Sequence, residues 1–571
     1  MFVSIVTPLL VLSAFPSDEA ATELRVHDVT SLVWIEEPHG DEVDVPLLPL
    51  MRSLAWQSSD ASEWDRTANA VEVLVDTFMA ADWNDEWSIE FVEPAEVHLD
   101  ASTEAHERFA RLVRAFESAA LGTTTLVVHS FVSSAEIPTG LVSAERLRAA
   151  VADAGAKPTS IRVPLEATRW TRVVDAQSHS VTLGVRTEIA QGSIAQYAAT
   201  DEVASGMSLH LAAKPTGAGT EVGYVLRSTV PSERDRATPV ECSTDFFADH
   251  VGRVVSRGGS WSEPFALRGG AAAGRCVVRT SDALVVRVSG EGDGSLYHAI
   301  LVDGGSRHAA ESNRVALGEG RSAEIVPRGC TQRIELGVRH DFGGQRLMAK
   351  DTNDLESGSN ENPLLTAILR LGESPRYERL RDRADVLTTS DLGASSLAIV
   401  DQETAGLMER LLALDAQMTP EQLSVDVRAT GSGAELRGGF ALQAGARGAL
   451  VVGVEGLEAG RYNVEVAQKA AAREPIVRTR FDGLAMLLTL DPIGEGRLAF
   501  KATGQFAGDA RDRGGVADLV GGSGLSSRDA RQLVIESTGV VDAEDDGGWT
   551  IRIGDTSGRG LGVVIRVARA R

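Results

Sequence analysis

Residues Glu188–Pro215 read EIAQGSIAQYAATDEVASGMSLHLAAKP, and residues Glu465–Pro492 read EVAQKAAAREPIVRTRFDGLAMLLTLDP. Laid over one another without a gap, they match at Glu188/Glu465, Ala190/Ala467, Gln191/Gln468, Gly206/Gly483, Leu211/Leu488 and Pro215/Pro492, all at one offset (465 − 188 = 277). After the shared glycine, Met207, Leu209 and Leu211 in one stretch and Leu484, Met486 and Leu488 in the other fall at every second position. That is the period of a strand, and the phase is the same in both. A one-residue slip would reverse every face, so retained phase points to equivalent structures. The glycines are expected to set tight turns and the prolines to end strands.

Working outward, the chain from about Thr168 to Gly290 is a series of short alternating runs broken by Gly, Ser and Asp: SVTLGVRTEIA, MSLHLAA, EVGYVLRSTV, CVVRT, ALVVRVSG. This pattern predicts antiparallel sheet with hairpin turns. The same style returns after Pro492 in LVIEST, WTIRIG and LGVVIRVA, with a Gly-, Asp- and Ser-rich loop expected over 508–527. Ahead of each β-rich region lies a different pattern. Ser102–Ala120 places Phe109, Leu112, Val113 and Phe116 on one face of a helix, opened by Ser102 or Thr103 and acidic Glu104. It lies between the strands WSIEFV and TTLVVHSFV, and a further helix is predicted over 67–81. In the second half, LAIVD, the helix TAGLMERLLALD and LSVDVRA repeat the order strand, helix, strand, with Asp100 matching Asp401. Each is a small sheet with helices on one face.

These readings divide the chain into a leader (1–21), an α/β region (22–165), a β-rich region with an insertion (166–350), a polar linker (351–363), a second α/β unit (364–430) and a second β-rich region (431–571). The expected fold class is α+β and β-rich, a multidomain chain of small α/β units alternating with antiparallel sheet. The 571 residues, 43% hydrophobic and 24% charged, are those of a folded chain with several cores. A formal charge of −25 disfavours nucleic acid as partner, because phosphate contacts need a basic face. Phe2–Phe15 is uncharged and apolar, of signal-peptide length and shorter than a membrane span, so the chain is expected to be exported. A buried N-terminal strand is the alternative. No later run reaches spanning length, so no integral membrane helix is expected. Three cysteines (Cys242, Cys276, Cys330) exclude a disulfide framework and a four-thiolate zinc site.

The run Phe440–Glu455 (FALQAGARGALVVGVE) followed by Tyr462–Pro492 resembles the secretin family, the ring-forming outer-membrane channels of secretion and pilus systems. The shared pattern is a glycine turn opening a strand, a strand pair, a polar patch, then G-x-x-L-x-[LV]-x-P. The strand–helix–strand blocks resemble the ring-building N-domains that secretins stack below the channel. The resemblance implies periplasmic or outer-membrane localisation and partners that are other copies of the chain or envelope secretion proteins. Two departures limit it. The family's Gly-Leu-Phe-like closing motif is absent between Pro492 and Arg571, and no long amphipathic hairpin set with aromatic girdles is read, aromatics being 5% of the chain. Secretin-like parts without a pore are therefore expected.

No catalytic constellation is read. His106-Glu107 does not continue into HExxH, no G-x-S-x-G elbow occurs, and Gly558–Gly562 lies between β-runs. No enzyme activity, cofactor or metal is expected. The expected function is structural or scaffolding, linked to envelope secretion or assembly. The alternative is an extracytoplasmic β-sheet module that binds a glycan or peptide, for which Trp34, Trp83, Trp87 and Trp170 could line a groove. The residues singled out are architectural: Glu188, Gln191, Gly206, Pro215, Glu465, Gln468, Gly483 and Pro492.

Overall fold

The computed structural model describes, with short interruptions, residues 22–29, 84–166, 171–231, 240–303 and 421–570, with isolated pieces over 74–79, 314–346 and 389–401. The leader, the linker 351–363, the helix read over 404–415, Trp34, Trp83, Trp170 and Cys330 lie outside the described residues.

The first unit is a three-stranded antiparallel sheet of β1 (Glu23–Asp28), β2 (Ser88–Val92) and β3 (Glu96–Ala101) in the order β1-β3-β2. The helix α1 (Thr103–Leu121) buries Ala105, Phe109 and Leu112, and β3 buries Val97, Leu99 and Ala101 at alternate positions. The Ala105 N–H donates to Ser102 Oγ at 3.3 Å, the cap its sequence predicts. Leu74 and Phe78, the described part of the helix predicted over 67–81, are helical and buried.

The next strand, β4 (Thr123–Ser133), does not join this sheet. Its inward residues Leu126 and Val128 belong to a much larger core, and it pairs with β6 (Thr159–Glu166). Between them lie β5 (Gly140–Ser143) and α2 (Ala144–Asp153), whose first turn is capped by Ser143 Oγ. There follow β7 (Thr171–Ala190), β8 (Ser193–Thr216), β9 (Gly219–Pro231), β10 (Val240–Phe247), β11 (Val254–Trp261), β12 (Ala266–Val278), β13 (Asp282–Arg287) and β14 (Ser295–Val302). In the middle, β15 (Arg314–Gly318), β16 (Arg321–Pro327), β19 (Thr389–Leu392) and β20 (Ser395–Asp401) form a four-stranded sheet. The short pair β17 (Asp341–Phe342) and β18 (Gln345–Arg346) stands apart from it. The last part comprises β21 (Gln422–Thr430), β22 (Glu435–Gln443), β23 (Arg447–Ala467), β24 (Ala470–Pro492), β25 (Arg497–Val516), β26 (Leu525–Asp542), β27 (Trp549–Gly554) and β28 (Gly562–Arg569).

Two antiparallel sheets dominate. The long-strand sheet runs β7-β8-β9-β12-β23-β24-β25-β26, with β10 and β11 added against the start of β24. The short-strand sheet runs β6-β4-β14-β13-β22-β21-β28-β27. They pack face to face as a sandwich. Leu209, Leu226, Ala272, Leu450 and Met486 of one meet Val128, Leu284, Ile300, Val425 and Ile565 of the other in a single core. The alternation in LSVDVRA is what buries Leu423, Val425, Val427 and Ala429 of β21 there. Each buried Leu or Val side chain there contributes about 1.5–3 kcal/mol on leaving water.

The two halves use one strand order. In the long-strand sheet β7-β8-β9-β12 is followed by β23-β24-β25-β26, and in the short-strand sheet β6-β4-β14-β13 is followed by β22-β21-β28-β27. The hairpins correspond residue for residue. Thr171 faces Leu211 as Gly448 faces Leu488, and Ala190 faces Ser193 as Ala467 faces Ala470. Each has one bulge at the same place, between Thr182 and Gly184 and between Ala459 and Arg461.

Two sequence expectations are corrected here. The runs Phe440–Glu455 and Tyr462–Pro492 are divided elsewhere than between Glu455 and Tyr462, because Arg447–Ala467 and Ala470–Pro492 are strands of 21 and 23 residues, and the loop expected over 508–527 is largely the facing ends of β25 and β26. The absence of long hairpins is overturned as well. β9 pairs with β8 only from Gly206 onward, so β7 and the first part of β8 form a two-stranded arm, and β23–β24 extend likewise beyond Gly483, with β10 paired to their far end at Ala470–Ala472. The first arm, Ser193–Ser205 on its return strand, spans about 40 Å at strand rise. Its strands are interrupted by Ser, Thr, Ala and Gly, so their alternation reads as several short runs.

Candidate functional site

The feature with most structure behind it is the joint between the halves. In the long-strand sheet it is eight consecutive antiparallel pairs, from Ala266↔Gly456 to Ala273↔Ala449. The run Arg268-Gly-Gly-Ala-Ala-Ala-Gly274 supplies a strand with almost no side chains there. The reason is close approach. A Cβ on Gly270 would run into the Val451 carbonyl and lie 2.9 Å from the Val288 carbonyl just beyond β13, and one on Gly274 would lie 2.9 Å from Tyr224 Oη. Tyr224, fully buried, donates from its hydroxyl to the Ala441 carbonyl at 2.7 Å, linking the long-strand sheet of the first half to the short-strand sheet of the second. Burial, with Cys276 nearby, raises its phenol well above the ordinary range, so it remains a donor. The Val277 N–H donates to Gln422 Oε1 at 2.9 Å across the same boundary.

In the short-strand sheet the joint is different. Only Arg287↔Gly439 bridges β13 and β22, because β5 pairs with Asp282–Val285 along the rest of that edge. Arg287, 2% exposed, donates from Nη2 to Asp426 Oδ1 at 2.8 Å. Glu136 lies 3.7 Å from Arg287, 3.8 Å from Arg428 and 3.7 Å from Arg437. A cavity of about 720 Å³ opens beside this cluster, bounded by Glu136, Thr139, Arg146, Arg287, Asp426 and Arg569.

The residues singled out from sequence are not gathered into one site. Glu188 faces Ala195 and Glu465 faces Ala472, at equivalent levels of the two arms. Gln191 and Gln468 lie outside the described residues. Gly206 and Gly483 are not in turns. Pairing of β8 with β9 stops at Gly206, opposite Thr229, and pairing of β24 with β25 stops at Gly483, opposite Ala507; β24 pairs again, with β10, at Ala470–Ala472. Gly206 has φ +137, and a Cβ there would collide with the Asp175 carbonyl and lie 2.6 Å from Ala176 Cα. A Cβ on Gly483 would lie 2.7 Å from Gly453 Cα. Pro492 ends β24 opposite Leu498, and Pro215 stands next to the end of β8 opposite Thr220. The joint residues were missed by sequence reasoning. Their signal is the Gly/Ala run 269–274 inside a β-rich stretch, which marks a strand crowded by neighbours.

Cys276 is a free, fully buried thiol whose pKa burial raises strongly, which makes it inert. His298, on β14, is fully buried and held at about 3 by desolvation, with Nδ1 2.9 Å from Ser130 Oγ. On the outer face of the long-strand sheet, His210 is also held at about 3, by burial and then by the cations of Arg227 and Arg172. Arg227 is itself 7% exposed, with Nε and Nη2 lacking partners.

No family model matches the chain, and no curated protein matches it. Among solved structures it is similar, at 9% identity and a TM-score of 0.21, to the secretin InvG of the Salmonella SPI-1 type III secretion injectisome, over 44% of this chain and 85% of that one. The InvG, PrgH and PrgK basal-body structure matches with the same identity and score over 50% and 68% of the two chains. Aeromonas hydrophila ExeD matches at 7% identity and a TM-score of 0.17 over 96% of this chain and 89% of that one.

Proposed function

We propose that the chain is an exported structural protein, a wall-building scaffold of the cell envelope assembled from two secretin-like modules in tandem and linked to protein secretion or envelope assembly. The observation that carries this reading is the edge-to-edge joint. Two four-stranded halves with one strand order are fused in both layers of a sandwich, the arrangement of a wall extended by adding units. The fully buried core of the joint holds glycine, alanine and a tyrosine–carbonyl link, groups suited to packing and not to turnover. On this reading the chain is not an enzyme and needs no cofactor. Its partners are further copies of itself or envelope secretion proteins.

The test is fractionation of cells expressing the full chain, followed by in-cell crosslinking and identification of what is joined to it. Recovery in the envelope fraction, as multimers or with secretion components, is the expected result. A monomer that stays in the cytoplasm and recovers no envelope protein would sink the scaffold. A second reading, a wall that also crosses a bilayer, is favoured by the arms, whose ~40 Å exceeds the apolar band of ~25 Å of an outer-membrane barrel. Vesicle flotation of the full chain against a chain lacking residues 178–204 separates the two.

A further inference from the structure

We propose that the outer face of the long-strand sheet, in the first half, binds a phosphate group between Arg227, Ser208 and Thr229, with Arg172 and His210 at the mouth. The register puts these five side chains on one face. Ser208 stands opposite Arg227, Arg172 opposite His210, and Thr229, two residues beyond Arg227, opposite Gly206. Directly opposed residues stand about 5 Å apart and residues two along a strand about 7 Å apart, so the Arg227 fork and both hydroxyls can meet on one oxyanion. Gly206 and Gly269, which flank Thr229, and Ala271, which flanks Arg227, put no long side chain in front of them. Arg172 is exposed on β7, the strand at this end of the sheet, and that edge is the way in. The site is independent of the scaffold reading.

What stands there is a buried cation with no anion. Arg227 is 7% exposed and its Nε and Nη2 have no partner; Ser208 and Thr229 are buried, and their hydroxyls have none either. Burial and then the Arg172 cation bring the Arg227 guanidinium down to about 10, with no carboxylate acting on it, so at neutral pH it stays charged where charge is disfavoured. His210, held at about 3 by burial and by the same two arginines, is neutral and adds no charge. A buried charge left unpaired is strongly destabilising. A tetrahedral phosphate, with oxygens for the guanidinium fork and others for hydroxyls on two strands, supplies both the missing charge and the missing acceptors.

The second half shows that the fold does not require these residues. At the register of the two hairpins, Arg172, Ser208, His210, Arg227 and Thr229 answer to Ala449, Ala485, Leu487, Gln505 and Ala507. There the same face is closed by apolar packing, Ala485 with Ala271, Val451 and Phe481. One scaffold thus carries an apolar patch in one half and a cationic one in the other, in a chain whose formal charge is −25. The same chemistry serves inorganic phosphate and the phosphate of a lipid headgroup.

Titration of the full chain with sodium phosphate, against sodium chloride at matched ionic strength, tests this by calorimetry and melting temperature. Saturable binding, with a rise in melting temperature that chloride does not give, is the expected result. Arg227→Gln, which copies Gln505, should weaken phosphate binding about tenfold or more. Without phosphate it should melt no lower than the unsubstituted chain, since the unpaired charge is gone. Ser208→Ala, which copies Ala485, should weaken binding about tenfold, and Arg172→Ala, which copies Ala449, about two- to fivefold. These two carry the test should Arg227→Gln fail to fold. Arg148→Gln, at an exposed arginine of α2, should leave binding unchanged. Flotation with phosphatidylcholine vesicles, with and without phosphatidic acid, separates the sources. Flotation that needs phosphatidic acid, is competed by free phosphate and is lost in Arg227→Gln assigns a lipid headgroup; phosphate binding without it assigns a soluble phosphate. No binding, chloride acting as well as phosphate, or undiminished binding by the folded site variants would each overturn the site.

Discussion

Replacing Asp426 by leucine should cost far more stability than replacing Arg287 by methionine, although both remove one ion pair. The asymmetry follows from burial. Arg287 is 2% exposed and its Nε already lacks a partner, so without Asp426 a guanidinium is left in the core with only Glu136, 3.7 Å away and mostly solvated. A buried charge stripped of its partner costs about 3–5 kcal/mol. Asp426 is 26% exposed and stands 3.8 Å from Arg428, so without Arg287 it keeps water and a second cation. That loss should be about 1–2 kcal/mol. The double substitution should fall near the milder single one, because no unpaired charge remains, so the coupling across the cycle should be about 3–5 kcal/mol. Urea unfolding followed by the far-ultraviolet signal of the sheets measures all four variants, with a midpoint drop of about 1 M or more for Asp426→Leu alone. Equal costs for the two single variants, or additivity in the double, would show that the pair does not lock the joint.

Tyr224→Phe should lower stability by about 1–2 kcal/mol, read as a drop in melting temperature, because the Ala441 carbonyl loses its buried donor and no water can replace it. Gly206→Ala should be more damaging than Ala213→Gly in the same strand, since the first forces a Cβ into the Asp175 carbonyl at φ +137 while the second only removes a buried methyl; soluble yield and melting temperature rank them. Acid should weaken the fold through His298 and His210. Both are held at about 3 against an unfolded value of 6.5, so between those limits the unfolded chain binds more protons; stability is whole above pH 6.5 and falls as pH drops toward 3, by about 1.4 kcal/mol per pH unit per histidine. His298→Ile with Ser130→Val copies the apolar pair Ile565 and Val427 that stand at the corresponding place in the second half, and should flatten one histidine's share of that slope in denaturation series run from pH 7 to 4.

Part of this was legible. The sequence period of two, the helix Ser102–Ala120 with its cap, and the equal phase of Met207–Leu211 and Leu484–Leu488 all appear in the structure, because each follows from local periodicity. Three features were not. Strand length was underread in the arms, where Ser, Thr, Ala and Gly break the alternation that marks a strand. Sheet membership was misassigned for β4 and β21, which read as third strands of small α/β units. Nothing within Thr124–Val132 or Leu423–Ala429 says which sheet takes them, and the partners that decide it, β14 and β28, lie more than 130 positions later in the chain. The helix α2 carries only Leu147 as a large buried side chain, too little for a periodic signal.

The matched glycines show why the two halves resemble each other so little and yet correspond so closely. A sheet in a sandwich needs one apolar side chain at every second position, of suitable volume, and little else. Hence His298 opposite Ser130 in one half answers to Ile565 opposite Val427 in the other. Identity is demanded only where backbone meets backbone. Gly206 and Gly483, at the points where pairing with β9 and with β25 stops, are such places, and both have a neighbouring strand where a Cβ would go. A bulge at the same register in each hairpin is the same kind of constraint, one set by chain path and not by side chain. Register, bulge and glycine are therefore the features by which units of this kind are to be recognised.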